Sequence, residues 1–370
     1  MEQARLPYFL AFNSLTRLRF REISAILEHF GQDAGEAWLH PREWAGAARL
    51  SSQAEKEILA QHSRVSPEKL YSQLLACGCK VSVWEDEDYP ASLRELYSPP
   101  LLLFYHGHLP GPEDICLAMI GSRQASAYGR QTAEVFARDL AAQGAVIVSG
   151  LARGIDGVCH RAALQASGRT VAVLGSGLDV IYPPEHDRLY ADVCTSGAVI
   201  SEFPLGTEAL PFNFPRRNRL ISGLSRAVIV VEAGIKSGTL RTVDYALEQG
   251  RDVFCIPGNV TSPSSRGTNK LLKEGAADIM TCAEDVWSRY SQAPLLRVRT
   301  APAAKTEDPE EKRLLQALRE PKKADELLEA KITGLDAAAL LARLSMLELR
   351  GLIRQLPGKY YQTVIKNIRG

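Results

Sequence analysis

The spacing of apolar residues changes character along the chain. In the first part it is helical. Leu15, Leu18, Phe20, Ile23, Ile26, Leu27 and Phe30 mark one face of a helix, and Gly31 predicts its stop. Two more helices are predicted near 52–62 and 66–76, so 1–78 reads as a small helical domain. The pattern then breaks. An acidic EDED run, Tyr89–Pro90 and Pro99–Pro100 predict a connector made of short extended pieces, such as LLLFYHG.

From 113 the pattern changes again. Near-continuous apolar runs at 116–120, 145–148, 170–174, 198–201, 227–231 and 252–256 have the composition that strands buried on both faces require. Helical stretches separate them at 128–143, 155–167, 185–195, 217–224, 238–249 and 269–275. This alternation predicts an α/β core with a Rossmann-like, doubly wound parallel sheet. Residues 293–309 have a linker's Pro, Ala and charged composition. After it come three helical stretches, 310–318, 323–329 and 337–349. Two strands, 352–356 and 360–363, flank a Pro357–Gly358–Lys359 turn. That order predicts a winged-helix-like domain. The chain is thus parsed as 1–78, a core with its extension at 79–292, a linker at 293–309, and 310–370.

Composition narrows the class without deciding the function. Apolar residues make up 45% and charged residues 24%, as in soluble globular proteins. No run of about 18 apolar residues predicts a membrane span. MEQARLPYFLAF lacks the basic start and small-residue cleavage site of a signal peptide. The seven cysteines are scattered, and Cys77–Gly78–Cys79 is too tight for a zinc turn. No metal, no disulfide and a cytoplasmic location are expected. Net charge is +1, so charge alone does not point to nucleic acid. Its distribution adds something: 15 of the 18 basic residues in 113–290 are Arg, whose fork suits phosphate. Codon or lineage bias would produce the same excess.

In a parallel α/β sheet, ligands sit outside the carboxyl ends of the strands. Here those ends read Gly121-Ser122-Arg123, Ser149 to Asp156, Gly175-Ser176-Gly177, Glu202-Phe203-Pro204, Glu232-Ala233-Gly234 and Pro257-Gly258-Asn259. Recurrent glycine lets backbone approach a ligand closely, and helix starts behind such loops favour anions. Yet neither GxGxxG nor GxxxxGK[ST] is present, so no nucleotide cofactor is expected. A different chemistry is suggested by Phe212-Asn213-Phe214-Pro215-Arg216-Arg217-Asn218-Arg219. Aromatic faces stack on unpaired bases and arginines neutralise phosphates, the combination for single-strand binding. The plainer alternative puts both phenylalanines in the core and pairs the arginines with Glu202 and Glu232. The candidate binding set is Gly121, Ser122, Arg123, Gly150, Arg153, Gly154, Phe214, Arg216, Arg217, Asn218, Arg219, Ser237, Gly238 and Thr239. An enzymatic alternative uses Glu232 with Asp156 or Glu202 in N-glycosidic bond cleavage. His160 and His186 fall in predicted helices and read as structural.

The set GSR (121–123), SGLARGID (149–156), YP (182–183), SEFP (201–204), FPRRNR (214–219), SGLS (222–225), VVEA (230–233), SGTL (237–240), EQGR (248–251), PG (257–258), GTN (267–269) and GA (275–276) resembles the bacterial DNA processing protein A (DprA/Smf) family. The order holds over about 170 residues. The resemblance implies a homodimer that binds and protects single-stranded DNA and loads RecA recombinase during natural transformation, with no catalytic activity. It assigns Arg123 and Phe214 to the strand-binding pocket and matches Arg217 and Arg219 to the family's RNR. Two departures stand out: Pro211 replaces a basic residue of some members, and Arg241–Thr242–Val243 follows SGTL. Similarity to phosphoribohydrolases with a PGGxGTxxE loop is partial, since Leu240-Arg241-Thr242 lacks the trailing glutamate. In the last domain the helix at 337–349 offers only Arg343, Ser345 and Glu348 for base contact. Arg350, Arg354 and Lys359 are the alternative phosphate contacts.

Overall fold

The computed structural model describes residues 2–290, 308–318, 320–330, 332, 334–349, 352–356 and 360–363. Of the linker expected at 293–309, residues 293–307 lie outside them, as do Arg350 and the turn at 357–359, while Pro309 already begins a helix. The chain divides into two compact units, Met1–Arg299 and Thr300–Gly370.

The first unit opens with α1 (Glu2–Ser14), α2 (Phe20–His29), α3 (Ala34–Leu39), α4 (Trp44–Ala47), α5 (Ser52–His62) and α6 (Pro67–Cys77). Then come β1 (Lys80–Val83), α7 (Ala91–Arg94), β2 (Leu102–Gly107), β3 (Cys116–Gly121), α8 (Ala127–Ala142), β4 (Val146–Ser149), α9 (Ile155–Gln165), β5 (Thr170–Val173), α10 (Asp187–Ser196) and β6 (Ala198–Ser201). It closes with α11 (Asn213–Leu224), β7 (Ala227–Glu232), α12 (Thr239–Glu248), β8 (Asp252–Cys255), α13 (Arg266–Lys273), β9 (Asp278–Ile279) and α14 (Ala283–Tyr290). The nine strands form one sheet in the order β1-β2-β6-β5-β4-β3-β7-β8-β9. From β6 to β9 all pairings are parallel. The chain winds from β3 out to β6, then returns to lay β7 on the other side of β3. This is the doubly wound sheet the apolar runs predicted, with its switch point between β3 and β7.

The stretch expected to be a connector is more than that. LLLFYHG supplies β2, which pairs antiparallel with β6, and β1 pairs antiparallel with β2. The apolar run is buried because both of its faces are covered. Leu103 and Tyr105 join one core cluster, and Leu102 and Phe104 join another.

One face of the sheet packs on Leu93, Leu220, Leu224, Val243 and Ala246 from α7, α11 and α12. The other packs on Ala133, Leu140, Cys159, Val286 and Trp287 from α8, α9 and α14. The N-terminal helices are built into this second layer. Phe9, Phe12, Ile26, Trp38 and Trp44 share a buried cluster with Leu102, Leu174, Tyr190 and Val199. Each such side chain contributes about 1.5–3 kcal/mol on burial. The α1–α6 bundle therefore shares its core with the sheet.

The second unit holds α15 (Pro309–Ala317), β10 (Lys322–Lys323), α16 (Ala324–Glu329), α17 (Ala337–Leu349), β11 (Ile353–Leu356) and β12 (Tyr360–Thr363). Its sheet order is β10-β12-β11, so three helices carry the antiparallel wing that the sequence predicted. Arg343, offered for base contact, instead pairs with Asp308 at 2.9 Å and faces Glu310 and Glu311. Among the described residues no helix is long and apolar enough to cross a membrane. None of their His, Cys, Asp and Glu side chains group in a way that could hold a metal ion. All seven cysteines are free.

One buried network ties α9 to β4 and β5. Leu151 donates its N–H to His160 Nε2 at 3.4 Å, so Nδ1–H donates to Thr170 Oγ1 at 2.7 Å. That hydroxyl donates onward to the Ile147 carbonyl at 2.7 Å. Burial, reinforced by His186, Arg161 and Arg217, drives the imidazole pKa from 6.5 to about 3. The native state then binds fewer protons than the unfolded chain between those values. This group's contribution to stability is complete above pH 6.5 and is lost as pH falls toward 3. At about 1.4 kcal/mol per pH unit, lowering pH from 7.5 to 5 should cost the native protein about 2 kcal/mol more than a His160→Asn variant. Urea unfolding of both proteins at the two pH values measures the difference.

Candidate nucleic-acid interface

The loops after β3, β4 and β5 meet at the switch-point end of the sheet, and sterics explain their glycines. Gly154 has φ +76°, and a Cβ there would stand 2.2 Å from the Ser122 carbonyl. The two loops cross in contact, and only glycine permits both the angle and the approach. A Cβ on Gly175 would lie 2.8 Å from the Phe214 ring, and one on Gly150 would lie 2.6 Å from the Arg217 guanidinium. Phe214 and Arg217 thus rest directly on rim backbone.

The helix carrying them begins earlier than the sequence pattern suggested. α11 starts at Asn213 rather than 217. Pro215 falls in its first turn, where a missing N–H costs no hydrogen bond. This start places Phe214 on the rim, half-buried, with Phe212 63% exposed beside it. Neither phenylalanine is a core residue, contrary to the plainer alternative.

Around Phe214, cations and rings alternate. Arg123 Cζ stands 4.8 Å over the Phe214 centroid. The Tyr182 ring lies 5.6 Å from Phe214 at 38°, and Arg153 Cζ lies 6.0 Å over Tyr182. Arg153 is also held by Glu185, with Nη2 to Oε2 at 3.0 Å. An exposed cation–π contact is worth about 0.5–1 kcal/mol. That is enough to park the exposed Arg123 guanidinium above the ring and too little to prevent it swinging onto a phosphate. Tyr182 was not among the candidate residues. Its signal was the YP pair in the loop after β5.

The remaining arginines divide by environment. Arg216 is exposed, 5.4 Å over the Phe203 ring. Arg217 is 3% exposed and donates from Nη1 to the Gly150 carbonyl at 2.8 Å and to the Val173 carbonyl. Its Nε donates to Asn218 Oδ1 at 3.2 Å. Burial pulls its pKa down to about 10, against the opposing pull of Asp156, so it stays charged at neutral pH. Arg219 is half-buried, pairs with Glu202 and donates to the Ser98 carbonyl at 2.9 Å. Both were candidates for strand contact, and the fold turns both inward. On the other side of the switch point, Ser237 Oγ donates to Thr239 Oγ1 at 2.9 Å. Thr239 Oγ1 donates to the Gly121 carbonyl at 3.1 Å. These hydroxyls brace the loops after β3 and β7 against each other. A Cβ on Gly238 would meet open space.

The carboxylates proposed for an enzymatic reading are all engaged. Glu232 is buried; its Oε2 accepts from the Ser126 N–H at 2.9 Å and its Oε1 from Ser264 Oγ at 2.6 Å. It fastens the loops after β3 and β8 to the end of β7. Asp156, also buried, accepts from the Gly150 N–H at 3.1 Å. Burial raises its pKa, with Arg217 pulling the other way. Glu202 holds Arg219. His186 is buried with Nδ1 on the Leu151 carbonyl at 2.9 Å. Like His160, it is a structural histidine.

Known proteins match this arrangement. Residues 80–291 match the family model of the DNA recombination-mediator protein A, and 298–359 match a DprA winged helix domain. Protein Smf of Escherichia coli K12 is 41% identical over 283 residues, which is 75% of each chain. DNA processing protein DprA of Streptococcus pneumoniae is 45% identical over 205 residues, covering 55% of this chain and 72% of that one. The X-ray structure of the S. pneumoniae protein aligns with a TM-score of 0.67 at 36% identity, over 76% of this chain and 95% of that one. A Helicobacter pylori DNA processing protein A structure, whose subject is its single-stranded DNA binding mode, aligns with a TM-score of 0.51 at 29% identity. It covers 57% of this chain and 96% of that one. From its sheet, its rim and these matches, the chain belongs to the DNA recombination-mediator protein A family.

Proposed function

We propose that this chain binds single-stranded DNA along the strand-end rim, shields it from nucleases and loads RecA recombinase onto it during natural transformation. It acts as a cytoplasmic homodimer and without a catalytic step. The observation that carries the reading is Arg123 stacked over Phe214 at the switch point. A base entering there finds an aromatic face, and its phosphate finds an exposed guanidinium. Tyr182 extends the aromatic surface, and Arg153 and Arg216 flank it with charge. The H. pylori relative, studied for its single-strand binding mode, supports the ligand class. Arg217 serves the site from beneath as the strut under Phe214, and Arg219 anchors α11. Base and phosphate contacts of this type are sequence-tolerant and salt-dependent.

Anisotropy of a labelled poly-dT oligonucleotide tests this. Arg123→Ala and Phe214→Ala should each weaken binding by about 5- to 150-fold, the span of one lost base stack of 1–3 kcal/mol. Unchanged affinity in the Arg123→Ala/Phe214→Ala double variant would sink the reading. The strut predicts a different signature. Arg217→Met should cost about 3 kcal/mol of stability, because it leaves the buried Gly150 and Val173 carbonyls without their donor, and should weaken binding as well. Arg123→Ala should leave the urea midpoint unmoved. If Arg217→Met unfolds at the wild-type urea concentration, Arg217 is no strut.

A further inference from the structure

The N-terminal hairpin carries a basic cluster that the rim does not use. The α1–α2 turn and the first residues of α2 read Leu15-Thr16-Arg17-Leu18-Arg19-Phe20-Arg21. Leu15 and Leu18 are buried, and the Phe20 ring packs 5.2 Å from Trp84, just past β1. The alternation turns Arg17, Arg19 and Arg21 outward, and all three are exposed. Two neighbouring acids are engaged: Glu22 accepts the Arg19 backbone N–H at 2.9 Å, and Glu57 pairs with Arg17 at 2.9 Å. The pair is exposed and worth about 0–1 kcal/mol, so a phosphate can compete for Arg17.

The hairpin is joined to the rim. Asn13, in the last turn of α1, donates from Nδ2 to the Glu202 carbonyl at 3.1 Å. Glu202 is the first residue after β6, and the next residue, Phe203, lies under the exposed Arg216. A stepwise route of cations therefore leads from Arg123 past Arg216 to the hairpin. β6, which Asn13 meets, lies three sheet positions from β3, and β1, beside which Phe20 packs, lies five, about 14 Å and about 24 Å at normal strand spacing. A strand of several nucleotides can span those distances.

We infer that single-stranded DNA leaving the Phe214 pocket passes Arg216 and is held by its phosphates on Arg17, Arg19 and Arg21 of the N-terminal hairpin. The inference rests on the strand-binding reading of the rim and adds a second contact area to it. It makes affinity depend on oligonucleotide length. A short strand fills the pocket alone, and a longer one also reaches the hairpin.

The test uses the full chain, with dT oligonucleotides of about 4 and about 25 nucleotides, the first at the lower end of common single-strand site sizes and the second beyond their upper end. In an Arg17→Ala/Arg19→Ala/Arg21→Ala variant, the short strand should bind within twofold of wild type. The long strand should bind at least tenfold more weakly. Its log–log salt slope should fall by about 2, from about 0.7 per lost phosphate contact. Glu57→Gln, which frees Arg17, should tighten the long strand only. If the triple variant is poorly folded by circular dichroism, Arg19→Glu alone should give the same length-selective loss. Wild-type affinity and slope for the long strand, in a variant set where Arg123→Ala still weakens both lengths, overturns the hairpin and leaves the pocket standing. If Arg123→Ala weakens neither length, the pocket reading fails first.

Discussion

A single buried guanidinium organises the strand-end rim of this molecule. Arg217 enters from α11 beneath the rim and donates to the carbonyls that follow β4 and end β5. A buried carbonyl left without a donor is costly. The charge that satisfies both must itself be offset, which Asp156 does from the start of α9. Glycine at 150 and 175 follows, because any larger residue would displace Arg217 or Phe214. Phe214 then has one place to lie, over Gly175 and under Arg123. Placement of the aromatic platform is thus a consequence of satisfying two backbone carbonyls.

Glu232 plays the complementary part across the switch point. Its carboxylate joins the loops after β3 and β8 to the end of β7 through Ser126 and Ser264. Its Oε2 also fills the space above Gly129. A carboxylate at a strand end is a usual mark of catalysis, and here it is spent on holding loops together. Glu202 pairs with Arg219, and Asp156 accepts the Gly150 N–H. These three carboxylates are buried or half-buried, while Arg123 and Arg216 stay exposed and Arg153 is exposed but paired with Glu185. A chain of nearly neutral net charge therefore presents a locally positive edge. Phosphate binding needs only that edge.

The N-terminal helices share their core with the sheet rather than sitting beside it. Phe12, Trp38 and Trp44 pack among themselves and belong to the same buried cluster as Leu174 and Val199. Rigid attachment of this kind is what lets the α1–α2 hairpin keep a fixed position along the β6 and β1 ends of the sheet. The winged unit has its own cluster, built on Leu314, Leu340, Leu344 and Ile353.

Much of this was legible in the residues themselves. Continuous apolar runs of strand length imply strands buried on both faces, and their alternation with helical periods implies the parallel sheet. Since ligands sit at strand ends, the glycine-rich loops and the Phe212–Arg219 segment could be picked out as the candidate site from the sequence. Two things could not. One is that LLLFYHG extends the sheet as an antiparallel strand, because pairing direction depends on which edge is free after the other strands have assembled. The other is the separate fates of Arg123, Arg216, Arg217 and Arg219. Identical side chains carry no local mark of burial. Their roles were decided only when the fold set unpaired carbonyls and carboxylates beneath some of them and open solvent above the others.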